Sequence, residues 1–210
     1  MNIARSPAGA MHSFAAGAIG RKFSFYAWRD GLDRAGRLGL ALGGAAYIGV
    51  CAQLQIPLPF TPVPFSLQTF AVATAAVALG WGWGVLSVAL YLALACLGVP
   101  WLAGFKGGMA FAAGPTAGYL AGFALMASSI SLFAKNPARC RWLPVWLALF
   151  LSDAIFILLP GSLWLHAWLA ASGLPTTLAG AFAKGFMPFI LVDLGKSGMA
   201  SLLVAWLGRR

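Results

Sequence analysis

Two opposite charges three residues apart, Asp193 and Lys196, stand in the apolar stretch M-P-F-I-L-V-D-L-G-K-S-G near the C-terminus. With Pro188 suited to the first turn of a helix, the i, i+3 spacing puts both charges on one face. A charged side chain at mid-membrane costs roughly 2.5–3.5 kcal/mol on insertion scales, so such residues face a bundle interior or a cavity. The pair reads either as an ion pair that orders the helix or as a ligand clamp. In a clamp the carboxylate accepts N–H donors and the ammonium donates to a carbonyl oxygen, and residue types alone do not choose. Asp153, in L-F-L-S-D-A-I-F, is the other acid inside an apolar run, with no basic residue within a helical turn. A structural hydrogen bond, to Ser152 or a neighbouring helix, is favoured for it over proton relay. Ser162 and His166 at i, i+4 are the nearest thing to a hydrolase pair, and no G-x-S-x-G, H-E-x-x-H or Gly-rich nucleotide loop accompanies them. Three cysteines without metal-ligand spacing indicate neither a zinc site nor a disulfide framework. The chain reads as a non-enzyme with no metal centre and no cofactor.

The elements that must position these groups are membrane helices. Of 210 residues 61% are hydrophobic and 9% charged, against roughly 45–50% and about 25% in soluble domains. Soluble folds are excluded, because so much apolar side chain has no interior to fill in a chain of this length. The lipid bilayer is the first partner. Fourteen Lys and Arg against four Asp give a net charge of +10. The basic residues fall between apolar runs, so topology accounts for them and nucleic acid does not.

Six apolar segments are expected to span: Leu38 to Leu54, Ser66 to Gly80, Gly82 to Gly98, Pro115 to Ala134, Trp142 to Pro160 and Pro188 to Leu207. The second and third form a tight hairpin around Trp81 to Trp83. Ten Lys and Arg lie at one set of ends (five from Arg21 to Arg37, then Lys135, Arg139, Arg141, Arg209 and Arg210) and two, Lys106 and Lys184, at the other. That bias puts both termini in the cytoplasm of a prokaryotic-type inner membrane. Residues 1–37 then form a cytoplasmic arm and 38–210 a six-helix membrane domain.

Three outward connections are long: Gln55 to Phe65, Val99 to Gly114 and Gly161 to Met187. Alternating prolines make the first stiff and extended, and the glycines of the second permit close backbone approach. Long, aromatic outer loops predict a lidded pocket. In the first span Gly39, Ala41, Gly43, Ala45 and Gly49 form a small-residue pattern that predicts a helix interface, internal or with a partner protein.

Four motifs in order carry a family resemblance: P-F-T-P-V-P-F-S-L-Q-T-F from Pro59, L-A-G-F-K-G-G from Leu102, G-P-T-A-G-Y from Gly114 and P-F-I-L-V-D-L-G-K from Pro188. Together they resemble the BioY family, the biotin-specific S components of energy-coupling factor (ECF) transporters. The resemblance runs from about Leu38 to the C-terminus. It implies a six-helix, all-α polytopic membrane protein that binds biotin from outside, with Asp193 and Lys196 matching the family's D-x-x-K pair. It also implies docking of a transmembrane T component through an A-x-x-x-A motif, matched by Ala41 and Ala45, with ATP hydrolysis in separate ATPase subunits. A homo-oligomer is compatible with this reading. The alternative is a solitary or ion-coupled carrier that completes transport alone, using Asp153 and the Asp193/Lys196 pair.

Biotin as the transported ligand needs an apolar pocket for its bicycle, donors and acceptors for its ureido group and a cation for its carboxylate. By this chemistry Phe65, Trp101, Phe105, Tyr119 and Trp164 are candidates for the walls and Gln68 for an amide donor or acceptor. Asp193 is assigned to the ureido N–H groups, Lys196 to the ureido oxygen and Lys106 to the carboxylate, the reverse use of Lys196 remaining open. The sequence departs from the family pattern at Phe105, at Leu191 and Val192 before the Asp, and at Leu158, which bears on loop geometry and ligand contacts.

Overall fold

The computed structural model describes residues 25–134 and 141–208. The expected arm up to residue 24, Lys135 and Arg139 of the inner loop, and the tail Arg209 and Arg210 lie outside the described residues. The chain enters through a short aromatic helix, α1 (Phe25–Asp30), and then α2 (Arg34–Gln53). Asp33 caps α2 by accepting the Gly36 N–H at 2.8 Å, so the helix starts four residues before the expected Leu38.

The proline-rich stretch is an antiparallel hairpin, β1 (Gln55–Leu58) and β2 (Thr61–Ser66), with Gln55 opposite Ser66 and a register irregularity between Ile56 and Leu58. Pro57, Pro59, Pro62 and Pro64 are distributed along it. Next come α3 (Gln68–Leu79), α4 (Trp83–Cys96), a 3₁₀ turn at Met109–Ala113 and α5 (Ala117–Phe133).

The fifth apolar segment is longer than its sequence suggests. α6 (Trp142–Asp153) passes through a π-helical segment, Ala154–Leu158, straight into α7 (Leu159–Ala171). Pro160 was expected to end this span. It lies instead in the first turn after the π segment, where its missing N–H and fixed φ are tolerated. The helix stops only at Gly173, with φ 72, where Leu174 N–H reaches Leu169 O and Gly173 N–H reaches Ala170 O in a left-handed cap. The expected 161–187 loop therefore reduces to residues 172–177, followed by α8 (Leu178–Gly185) and α9 (Met187–Gly208).

Three stretches are long and apolar enough to cross a membrane: Arg34–Gln53, Trp142–Ala171 and Leu178–Leu207. The apolar helices α3, α4 and α5 are shorter. α3 is buried almost all round and packs against α2, α4, α5 and α9, as an apolar helix with no polar face must. Its 12 residues rise only about 18 Å, well short of a hydrocarbon layer of about 30 Å. Its first residues, Gln68 and Thr69, open into a cavity that takes up depth the helix leaves unfilled.

The small residues of α2 divide between two faces. Ala41 and Ala45 have no exposed surface, and α2 packs against both α3 and α4. The methyl groups of the pair expected to dock a partner are thus buried within the bundle and not on its exposed side. Gly39, Leu42, Gly43, Ala46 and Val50 occupy the exposed side.

Candidate functional site

A cavity of about 600 Å³ lies between the hairpin, the 102–107 loop, α5, the π segment and α9. That is within the usual range for a small-molecule site. Its polar floor is built by two helices. Lys196 Nζ donates to Asp193 Oδ1 at 2.7 Å and to Thr69 Oγ1 at 3.4 Å, and the Thr69 hydroxyl donates to Asp193 Oδ1 at 3.3 Å. Ser197 Oγ donates to the Asp193 carbonyl at 2.7 Å, fixing the turn between the charges. Asp193 is 2% and Lys196 6% exposed. Each charge tolerates that burial because the other compensates it. The hydrogen bonds from Lys196 and Thr69 to the Asp193 carboxylate both fall on Oδ1, and the Asp153 carboxyl lies close to the same group.

Gln68 also lines the cavity, but its amide is held by the protein: Nε2 donates to Tyr91 OH at 2.6 Å and Oε1 accepts from Ser66 Oγ at 3.0 Å. One N–H of Gln68 remains for a ligand. Tyr119 contributes its ring, with its hydroxyl donating to Gly185 O at 2.9 Å. Lys106 lines the cavity from the exposed loop. The structure thus brings Asp193, Lys196, Gln68, Tyr119 and Lys106 to one space.

The other four aromatic candidates do not line it. Phe65 stands behind the wall, edge-on to Phe189 with centroids 4.8 Å apart. Trp101 is turned to Tyr91, donating from Nε1 to Tyr91 O at 2.9 Å, and packs on Gly49, where a Cβ would strike its ring. Phe105 is 73% exposed. Trp164 donates from Nε1 to Gly114 O at 2.8 Å and braces that loop from outside. These side chains shape the wall through its backbone.

Phe189, Thr69 and Ile157 line the cavity and were not singled out from sequence, and Leu158, noted there as a departure from the family pattern, lines it as well. Phe189 had a readable signal: it lies four residues before Asp193, on the same helical face. Thr69 had a weaker one, as the neighbour of Gln68. Ile157 and Leu158 were placed by a π segment that no composition signal marks.

Asp153 is 1% exposed, and although neither carboxyl oxygen makes a well-formed hydrogen bond among the described residues, the group lies close to Asp193 and Lys196 on α9. Of the two partners expected for it, Ser152 accepts from Ser129 Oγ at 3.1 Å and makes no bond to Asp153, and the neighbouring helix α9 brings Asp193 and Lys196 close. Ser162 and His166 do not form a hydrolase pair: His166 Nδ1 meets Thr176 Oγ1 at 3.4 Å, and Ser162 is buried beside Gly185. Among the described residues no group of three or more His, Cys, Asp or Glu is placed to hold a metal ion.

The BioY family model matches residues 24–210. The chain is 36% identical over 122 residues to the biotin transporter BioY of Thermotoga maritima, covering 56% of this chain and 64% of that one. It is 30% identical over 159 residues to the biotin transporter BioY2 of Lactococcus lactis subsp. cremoris, covering 76% and 82%. The match to the Thermotoga protein therefore spans less than two thirds of that relative's length. Among solved structures, the crystal structure of the S-component for biotin from an ECF-type ABC transporter superposes with a TM-score of 0.75 at 29% identity, covering 84% of this chain and 93% of that one.

Proposed function

The chain belongs to the BioY family, and on that premise we propose that it captures biotin from outside the cell as the S component of an ECF transporter. The observation that carries this reading is a buried Asp193–Lys196 pair on the floor of a cavity of about 600 Å³. The ureido group of biotin presents N–H donors and a carbonyl acceptor side by side, which match the Asp193 carboxylate and the Lys196 ammonium. The carboxylate is the group most costly to dehydrate, so it belongs at the mouth beside exposed Lys106 rather than on the buried floor. The difference in burial between the two lysines supports this orientation, which the sequence leaves open.

The protein is a multi-pass membrane protein with several apolar helices. We assign it six spans, a cytoplasmic arm over residues 1–37, a binding domain over 38–210 and both termini inside, on the strength of the basic-residue bias. In this arrangement the hairpin and the 102–107 loop lie over the cavity as its outer cover. A T component and ATPase subunits supply the energy. The buried Asp153 carboxyl, close to the Asp193–Lys196 pair, supports the second reading, an ion-coupled carrier. Biotin uptake abolished by a protonophore in cells lacking T and ATPase subunits would favour it.

The test is equilibrium binding of biotin to the purified chain, with desthiobiotin, lipoate, biotin methyl ester and 2-iminobiotin as competitors. Biotin methyl ester is expected to bind within about fivefold of biotin, since an exposed ion pair contributes only about 0.2–1 kcal/mol. At neutral pH 2-iminobiotin places a guanidinium against the Lys196 ammonium and is expected to bind at least about tenfold more weakly. The opposite order would put the carboxylate on the floor, and no saturable biotin binding would overturn the capture reading.

For docking of the T component, the exposed side of α2 replaces Ala41 and Ala45. Ala46→Trp is expected to leave biotin affinity within about twofold while abolishing ATP-driven uptake, whereas Ala41→Trp overfills the bundle and lowers thermal stability by about 1–3 kcal/mol or more. Binding, uptake and melting measured on both variants check this. An Ala46→Trp protein that transports normally would remove α2 from the docking surface.

A further inference from the structure

Gln53, the last residue of α2, commits its side-chain amide to one loop. Its Nε2 donates to Trp101 O at 3.0 Å and Leu102 O at 3.1 Å, and to Gly49 O in its own helix at 3.1 Å, while its Oε1 accepts the Phe105 N–H at 3.0 Å. Both amide donors and the acceptor are therefore in use. The loop also closes on itself, with Leu102 N–H to Lys106 O at 3.0 Å and Lys106 N–H to Leu102 O at 3.3 Å. Inside that closure Phe105 has φ 55. A residue with a Cβ keeps this left-handed backbone only where its surroundings impose it. The Phe105 ring is 73% exposed and cannot do so by packing. What holds the residue is its backbone, through the Leu102–Lys106 closure and the bond to Gln53.

The loop held in this way is a wall of the cavity: Leu102, Ala103, Gly104 and Lys106 all face it, and Gln53 does not. We propose that Gln53 is a positioning residue for the ligand, a brace that fixes the Lys106 wall from the end of α2. The proposal rests on the biotin-capture reading. A loosened wall leaves the floor contacts of Asp193 and Lys196 in place and opens the route out, so the effect falls on ligand release more than on association.

Gln53→Met keeps the shape and removes the hydrogen bonds. It is expected to release biotin about tenfold faster with association within about threefold of the parent. In the ligand-free protein, hydrogen exchange of the 102–108 amides should accelerate while that of α5 and α9 stays unchanged. Gln53→Glu, which sets a carboxylate against the Trp101 and Leu102 carbonyls, should release biotin at least as fast as the Met variant. Parental release and parental loop exchange in both variants would overturn the proposal. So would faster exchange spread equally through α5 and α9 with a matching fall in melting temperature, which would mark a general structural role. If the parent itself does not bind biotin, the capture reading fails on its own, and loop exchange in the ligand-free variants still decides for or against the brace.

Discussion

Asp193→Asn is expected to weaken biotin binding by about one to two orders of magnitude, through loss of charge-assisted hydrogen bonds of roughly 1.5–3 kcal/mol. The amide also turns a donor toward ureido N–H groups that need an acceptor. The same change leaves the Lys196 ammonium, only 6% exposed, without its counter-charge, and an uncompensated buried charge is destabilising in its own right. Affinity and melting must therefore be read together. Lys196→Met keeps the apolar stem and should weaken binding comparably. The double variant should lose less than the sum of the singles, because both residues grip one group of the ligand and removing both leaves no buried charge unpaired. Single variants that melt earlier yet bind like the parent would reduce the pair to a structural salt bridge.

Gly122→Ala is expected to harm the fold itself. A Cβ at Gly122 would collide with the Phe156 carbonyl and crowd the Ile157 Cα, so the obstacle is backbone and cannot rotate away. Phe156 lies four residues before Pro160, which has no N–H to offer its carbonyl. Overpacking of this kind costs about 1–3 kcal/mol when side chains can adjust, and more is expected here because helices must separate. Melting should fall sharply and biotin binding should fall with it, since Ile157 and Leu158 line the cavity. Gly195→Ala, beside the charged pair on α9 but with no atom within 4 Å of the added carbon, should be neutral or slightly stabilising. Equal tolerance at both glycines, measured by thermal inactivation, would contradict the packing argument.

What was legible from sequence was local. The i, i+3 spacing of Asp193 and Lys196 placed them on one face, because a helix fixes that relation without tertiary information. The alternating prolines announced an extended segment for a similar reason. Partnerships between distant segments were less readable. Trp101 and Trp164 have the size and polarity of ligand-wall residues, yet each indole N–H is taken by a backbone carbonyl, Tyr91 O and Gly114 O, that only folding brings near. The small residues at Ala41 and Ala45 announce close packing, but what they pack against depends on how α2 is rotated about its axis. That rotation is set by α3 and α4 and not by the motif. The run through Pro160 was missed because the π segment that absorbs the proline has no marker in composition.

The hairpin that walls the cavity carries an exposed Ile56 and Phe60, and two bare strands with apolar side chains are an invitation to add a third from another molecule. Pro62 and Pro64 are alternate residues of β2 and so share one lateral direction. A residue with no N–H fits a strand only where it faces away from the ladder, so the free flank of β2 lacks the donors that an incoming strand would need. Pro57 and Pro59 remove further donors from the first strand and the turn. Neighbouring extended chains therefore meet no row of donors on this flank, and the hairpin is protected from recruitment into an intermolecular sheet.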